Sequence, residues 1–160
     1  MSGVTSAELA DHAFLRGMAG SHLAVLARDC WVVPVRQGHR LFVEGDTAHR
    51  FWLIRSGHVA LDVHAPGGGQ LIVETLGRGD LLGLSWFVRP YQWQFSATAV
   101  EDTMTFEFNA DAVRAACESD TDLGYQLLQR VMSAASSRLQ ATRVRMLDLY
   151  GSSGAVRGGP

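Results

Sequence analysis

The chain has 160 residues, 47% of them apolar and 19% charged, and a formal net charge of -2. That length suits one domain with a substantial core, and the composition is globular rather than disordered. There is no basic excess to suggest a nucleic-acid partner, no apolar run near the roughly 20 residues that span a bilayer, and no basic-then-apolar N-terminus of secretory type.

Residues from Thr5 to about Asp29 read as helical, because Phe14, Leu15, Met18, Leu23, Leu26 and Ala27 recur near helical spacing with breaks at Gly17 and Gly20. Ser21 is placed to cap a second short helix. From Cys30 the period changes to short runs of strand formers: Trp31 to Val35, Leu41 to Val43, Phe51 to Ile54, Val59 to Val63, Leu71 to Leu76, Phe95 to Val100 and Met104 to Phe108. Glycine separates most of them, which argues for antiparallel strands in a sandwich or roll. Asn109 is a good N-cap for a helix over Asp111 to Cys117, with Asp111 suited to the helix dipole. A longer helix is expected from Ser119 or Asp120 to about Leu149. Along it Leu128, Val131, Ala135, Leu139, Thr142, Met146 and Leu149 form a stripe with a period near 3.5, the mark of a helix that packs along another helix. Gly151 is expected to stop it, and Gly151 to Pro160 to be a disordered tail. The resulting division is a helical segment over 1–29, a β-roll over 30–109, helices over 110–150 and a tail over 151–160.

Chemistry-bearing groups are sparse. Cys30 and Cys117 have neither metal-type nor redox-type spacing, so reduced thiols in a cytoplasmic protein are expected. His58 and His64, with Glu74, are the best metal grouping, but the His-x-His element of a cupin is lacking, so no metal and no cofactor are implied. Ser56 has no assignable base or acid partner, and Gly67-Gly68-Gly69 is not followed by the Lys-Ser/Thr of a P-loop. Asp46 and Asp80 follow glycines and read as acceptors for turn N–H groups. No enzyme activity is expected.

Three ordered motifs carry a resemblance: Gly38-x-x-Leu41-Phe42-x-Glu44-Gly45-Asp46, then Phe51-x-Leu53-Ile54-x-Ser56-Gly57, then Gly79-Asp80-Leu81-Leu82-Gly83. Over residues 12 to 150 the chain resembles the cyclic nucleotide-binding domains of catabolite activator-type regulators. The resemblance implies a mainly β fold with flanking helices (α+β), a double-stranded β-helix or jelly roll followed by a short and a long helix. It also implies a phosphate-binding cassette spanning Gly83, Leu84, Ser85, Trp86, Phe95, Ser96 and Ala97, with Thr142 on the long helix facing the base. That helix would pair with its copy in a homodimer.

Leu84 stands where the family has the glutamate that grips the ribose, and Phe95 where it has the arginine that pairs with the cyclic phosphate. Arg89, in the loop before Phe95, is the one candidate substitute contact for an anion, and N–H groups at Gly83 to Trp86 would cradle one only if a helix starts there. The resemblance stops before the helix-turn-helix of such regulators, so no nucleic-acid partner is expected. The aromatic cluster Trp86, Phe87, Tyr91, Trp93 and Phe95 reads either as an apolar ligand pocket or as rings that fill it, with Trp86 and Trp93 as a conceivable partner patch. The implied role is a stand-alone regulatory or sensor domain with weak or absent cAMP and cGMP binding and room for another small ligand. The alternatives are a protein-interaction module with a collapsed pocket and, more remotely, a metal-dependent cupin-like enzyme.

Overall fold

Strand formers punctuated by glycine pair into two four-stranded antiparallel sheets in the computed structural model, which describes residues 3–154. The strands are β1 (Cys30–Val35), β2 (Arg40–Phe42), β3 (Arg50–Ser56), β4 (Val59–His64), β5 (Gln70–Leu76), β6 (Leu81–Leu82), β7 (Ser96–Ala99) and β8 (Thr103–Asn109). One sheet runs β1-β8-β3-β6 and the other β2-β7-β4-β5. β8 is central to the first, with Phe106 opposite Val32 on one side and Leu53 on the other. The β3–β4 turn depends on Gly57: its φ is +88°, and a Cβ there would stand 2.4 Å from Thr103 Oγ1. The sheets face each other as a jelly roll, and Phe51, Leu53, Ile54, Leu61, Leu82, Ala97, Phe106 and Phe108 are all buried in the core formed with the flanking helices. Each full burial of a Leu, Ile or Phe is worth about 1.5–3 kcal/mol.

The N-terminal helical reading resolves into three pieces: α1 (Ser6–Ala10), a 3-10 turn over Ala13–Leu15 and α2 (Gly20–Ala27). Thr5 and Glu8 close a capping box on α1. Ser21 is not a cap. The first turn of α2 closes on the Ala19 carbonyl, which accepts from His22 and Leu23 N–H, so Ser21 lies inside the helix. Burial of Leu23 and Leu26 holds α2 in the absence of a side-chain cap. His12 ties this region to the roll: Nε2 donates to the Ile54 carbonyl at 2.8 Å and Nδ1 accepts from Phe14 N–H at 3.2 Å.

After β8, Asn109 Oδ1 accepts from Ala112 N–H and starts α3 (Ala110–Ser119). Asp120 Oδ1 accepts from Asp122 and Leu123 N–H at the start of α4 (Thr121–Gly154). Its 34 residues span about 50 Å at 1.5 Å per residue. The helix passes through Gly151 rather than ending there, because one glycine costs a helix only about 1 kcal/mol. Gly151 to Gly154 are therefore helical, and the remainder of the expected tail, 155–160, lies outside the described residues.

The two faces of α4 differ. Leu123, Leu127 and Val131 are buried on the inner face, whereas Tyr125, Leu128, Met132 and Leu139 are exposed. Val131 thus leaves the expected outer stripe and Met132 replaces it. From Leu139 to Gly151 every side chain is exposed. Both thiols are inert, since burial pushes Cys30 up to about 12 and Cys117 up to about 11.

Burial lowers the His12 pKa below its ordinary 6.5, outweighing the hydrogen bond to Ile54 and the charge of Asp80. The unfolded chain therefore takes up the proton first, so this contribution is present above pH 6.5 and is lost as pH falls below it. The expected result is a lower urea midpoint at about pH 5.5 than at about pH 7.5, with His12→Gln flattening that difference. An unchanged slope in the variant would place the acid sensitivity elsewhere.

Candidate functional site

The cassette begins in the turn after β5, where Asp80 Oδ2 accepts from Gly77 N–H at 2.8 Å and Gly79 N–H donates to Ile54 O at 3.0 Å. Asp80 is thus the turn acceptor that its sequence position implies. β6 pairs with β3, Trp52 opposite Leu82, and delivers the chain to Gly83 at φ +101°. A Cβ at Gly83 would stand 2.8 and 2.9 Å from Cη2 and Cζ3 of Trp93. The indole lies directly against that backbone. Its own backbone is fixed from both sides, N–H to Asp46 O and carbonyl from Gly45 N–H, each 2.9 Å. Trp93 also stacks on Phe42 at 3.9 Å, and Phe42 on Trp52 at 5.6 Å.

Leu84 is half-buried and packs against the core, and Ser85 is half-buried in the following turn. Trp86 is wholly buried and stacks on Phe51 at 3.8 Å, with no partner for its Nε1. Burial of Trp86 and Trp93 removes the reading of these rings as an exposed partner patch. Phe87 N–H closes a turn on Leu84 O at 3.2 Å, and no helix starts there, so the segment presents no helix N-terminus to an anion.

Phe95 is 39% exposed just before β7. Ser96 is buried and its Oγ accepts from Glu44 N–H at 3.0 Å, while Ala97 is buried opposite Leu61 and Phe42. Asp62 on β4 stands directly across from Ser96 and is also buried. Directly opposed residues of an antiparallel pair share a face, so a carboxylate stands beside the Ser96 hydroxyl. Its cationic neighbour is Arg40, Nη2 to Oδ2 3.8 Å.

Arg89 is exposed at the loop tip and makes no ion pair among the described residues. The guanidinium that does engage this loop is Arg114 of α3, which donates to Trp86 O at 2.5 Å and lies 4.2 Å over the Tyr91 ring. Thr142 is exposed, and its hydroxyl donates to Arg138 O within its own helix at 2.9 Å.

Two arginines bind α4 to the roll. Arg138 Nη2 donates to Leu81 O beside the cassette, and Arg145 Nη1 donates to Val73 O at 2.6 Å. Burial lowers the Arg138 pKa, opposed by the charges of Glu74 and Asp80. Nothing in the sequence pattern pointed to this role of the two arginines or to Trp93 as the cover of Gly83. For Asp62 as a buried acid, the one available signal was the residue itself, an acid inside the apolar run Val59 to Val63. His58 bonds to Glu101 at 2.5 Å, and no group of three or more His, Cys, Asp and Glu suited to a metal occurs among the described residues.

The sequence profile of the cyclic nucleotide-binding domain matches residues 32–120, more than half of the chain. The chain belongs to the cyclic nucleotide-binding domain family. A CRP-like cAMP-activated global transcriptional regulator of Mycobacterium tuberculosis is 28% identical over 141 residues, which are 88% of this chain and 61% of that protein. The chain thus spans about three fifths of that relative's length. Among solved structures, a candidate cyclic nucleotide-binding protein of Geobacter metallireducens superposes with a TM-score of 0.77 at 23% identity, over 85% of this chain and 98% of that one. The sensor domain of the transcriptional regulator DNR of Pseudomonas aeruginosa superposes with a TM-score of 0.65 at 22% identity, over 82% and 89%. These superpositions establish the jelly-roll fold of the cyclic nucleotide-binding domains, and no helix among the described residues is long and apolar enough to cross a membrane.

The contact at Gly83 yields a stability test. Gly83→Ala adds a Cβ against Trp93 and forces a positive φ on an L-residue, so it is expected to cost about 1–3 kcal/mol in urea unfolding. A variant as stable as the parent would show that the indole is free to move off the backbone.

Proposed function

We propose that this chain is a regulatory domain of the CRP-like kind whose cassette does not hold a cyclic nucleotide and whose α4 pairs with a second copy. The observation that carries the first half is the indole of Trp93 seated against Gly83, where the resemblance puts the ligand's phosphate. The surrounding chemistry agrees with it. Leu84 offers the ribose hydroxyl no acceptor, Phe95 offers the phosphate no cation, and the buried Asp62 beside Ser96 repels one. A buried phosphate that lacks its arginine forfeits roughly 2–5 kcal/mol, thirty-fold to several thousand-fold in affinity. No constellation of nucleophile, base and orienting group occurs in the cassette, which favours regulation over catalysis. The expected calorimetric result is no saturable binding of cAMP or cGMP below about 1 mM. A micromolar dissociation constant for either nucleotide would overturn this half.

The outer face of α4 carries the second half. Tyr125, Leu128, Met132, Ala135, Leu139, Thr142 and Met146 recur at alternating steps of three and four, the seam of a two-helix coiled coil. Met132 is 56% and Leu139 65% exposed in the single copy. Ala135 and Thr142 are small enough to let two helices approach closely. Light scattering at tens of micromolar, on the order of usual working concentrations, is expected to give the mass of a dimer. Leu139→Asp is expected to give a monomer with unchanged β-sheet signal in circular dichroism, since Leu139 contributes nothing to the roll's core. A monomeric parent protein would refute the pairing and leave the nucleotide result untouched.

A further inference from the structure

A cavity of about 310 Å³ lies between α4 and the β5–β6 region, where Gly79, Asp80 and Leu81 at the start of the cassette line one side of it. Its charged and polar lining comes from Glu74, Asp80, Arg130, Ser133, Ser137 and Arg138. Two of these groups are fully engaged within the protein: Asp80 accepts from Gly77 N–H, and Arg130 donates to the Gln126 carbonyl and side chain and to Arg16 O. The two other charged groups are not. Arg138 spends one nitrogen on Leu81 O and makes no ion pair among the described residues. Glu74 makes no hydrogen bond or ion pair there, and the two do not pair with each other. The charge of Glu74 acts on Arg138, opposing the effect of burial.

One unfilled guanidinium and one unfilled carboxylate, facing the same small space without closing on each other, call for an occupant that carries both complementary charges. We infer that this cavity binds a small zwitterion, a molecule of amino-acid size with one carboxylate and one ammonium group. The ligand's carboxylate lies on the spare donors of Arg138, in the forked geometry that guanidinium favours. Its ammonium lies against Glu74, and the hydroxyls of Ser133 and Ser137 accept its remaining protons. The volume is at the small end of ligand pockets, which suits such a molecule. Ser133, Ser137 and Arg138 belong to α4 and Glu74 to β5, so the occupant bridges roll and helix. The inference stands apart from the pairing of α4 and from the contact of Trp93 with Gly83, neither of which lines this cavity.

The test is a thermal-shift screen of the whole chain with each of the twenty proteinogenic amino acids at millimolar concentration, followed by calorimetry on any that stabilise it. At least one is expected to bind saturably, while its deaminated acid and its decarboxylated amine do not. Glu74→Gln, which loses no bond within the protein, is expected to weaken that binding at least roughly tenfold. Arg138→Gln should do the same if it remains folded, and Glu74→Gln decides the matter if it does not. No shift with any amino acid, equal binding of the acid or the amine alone, or undiminished binding by Glu74→Gln overturns the inference. Light scattering and nucleotide titration of the same samples report on the earlier proposals separately, so the failure of either is told apart from the failure of this one.

Discussion

Trp93 rests on the backbone at Gly83 at a distance only a residue without a Cβ permits, and much of the interior follows from that contact. The indole stacks on Phe42, and Phe42 on Trp52, so one aromatic column runs from the cassette to β3. Interiors are packed at crystal-like density and give little way. The backbone that carries the ring is held at both its N–H and its carbonyl, and the ring itself by its stacking on Phe42. The space that a Cβ at Gly83 would need is taken by that ring.

The second organising feature is the pair of guanidiniums that α4 sends to β5 and to the start of β6. Arg138 and Arg145 both use backbone carbonyls of the roll as acceptors, at Leu81 and Val73. Carbonyl acceptors do not titrate and do not depend on the identity of a neighbouring side chain. The helix is therefore indexed to the strand that leads into the cassette, and a shift in one has a direct route to the other. Arg114 does the corresponding work for the outer loop from α3, through Trp86 O and the Tyr91 ring. Three arginines thus set the cassette's position from outside.

The fold was legible wherever local chemistry and tertiary demand agreed. Gly38, Gly45, Gly57, Gly79 and Gly83 all adopt positive φ, and Asn109 caps α3 as its side chain suggests. Legibility failed where a choice depended on partners distant in sequence. α4 is apolar on two faces, so its periodicity alone did not separate Val131, turned inward, from Met132, turned outward. Ser21 had the right chemistry for a cap, but the helix begins two residues earlier, with Ala19 in the cap position. β6 is only two residues long and gains its strand character from pairing with Trp52 and Leu53. At the site, the losses at Leu84 and Phe95 were readable because charge is a property of the residue itself. Trp93 over Gly83, Asp62 opposite Ser96 and Arg138 on Leu81 were not, because each is a juxtaposition made by the roll.

The exposure of α4 beyond Arg138 has a consequence for how the molecule loses its structure. From Leu139 to Gly151 every side chain is exposed in a single copy, and the Arg145 bond to Val73 is a thin attachment for so long a segment. Its order rests on intrinsic propensity, which in water sustains only marginal helicity in short segments. Backbone amides there should exchange with solvent far sooner than those of β3 and β8, giving a gradient of protection along one continuous helix. Heat would loosen that exposed half first while the roll stays closed.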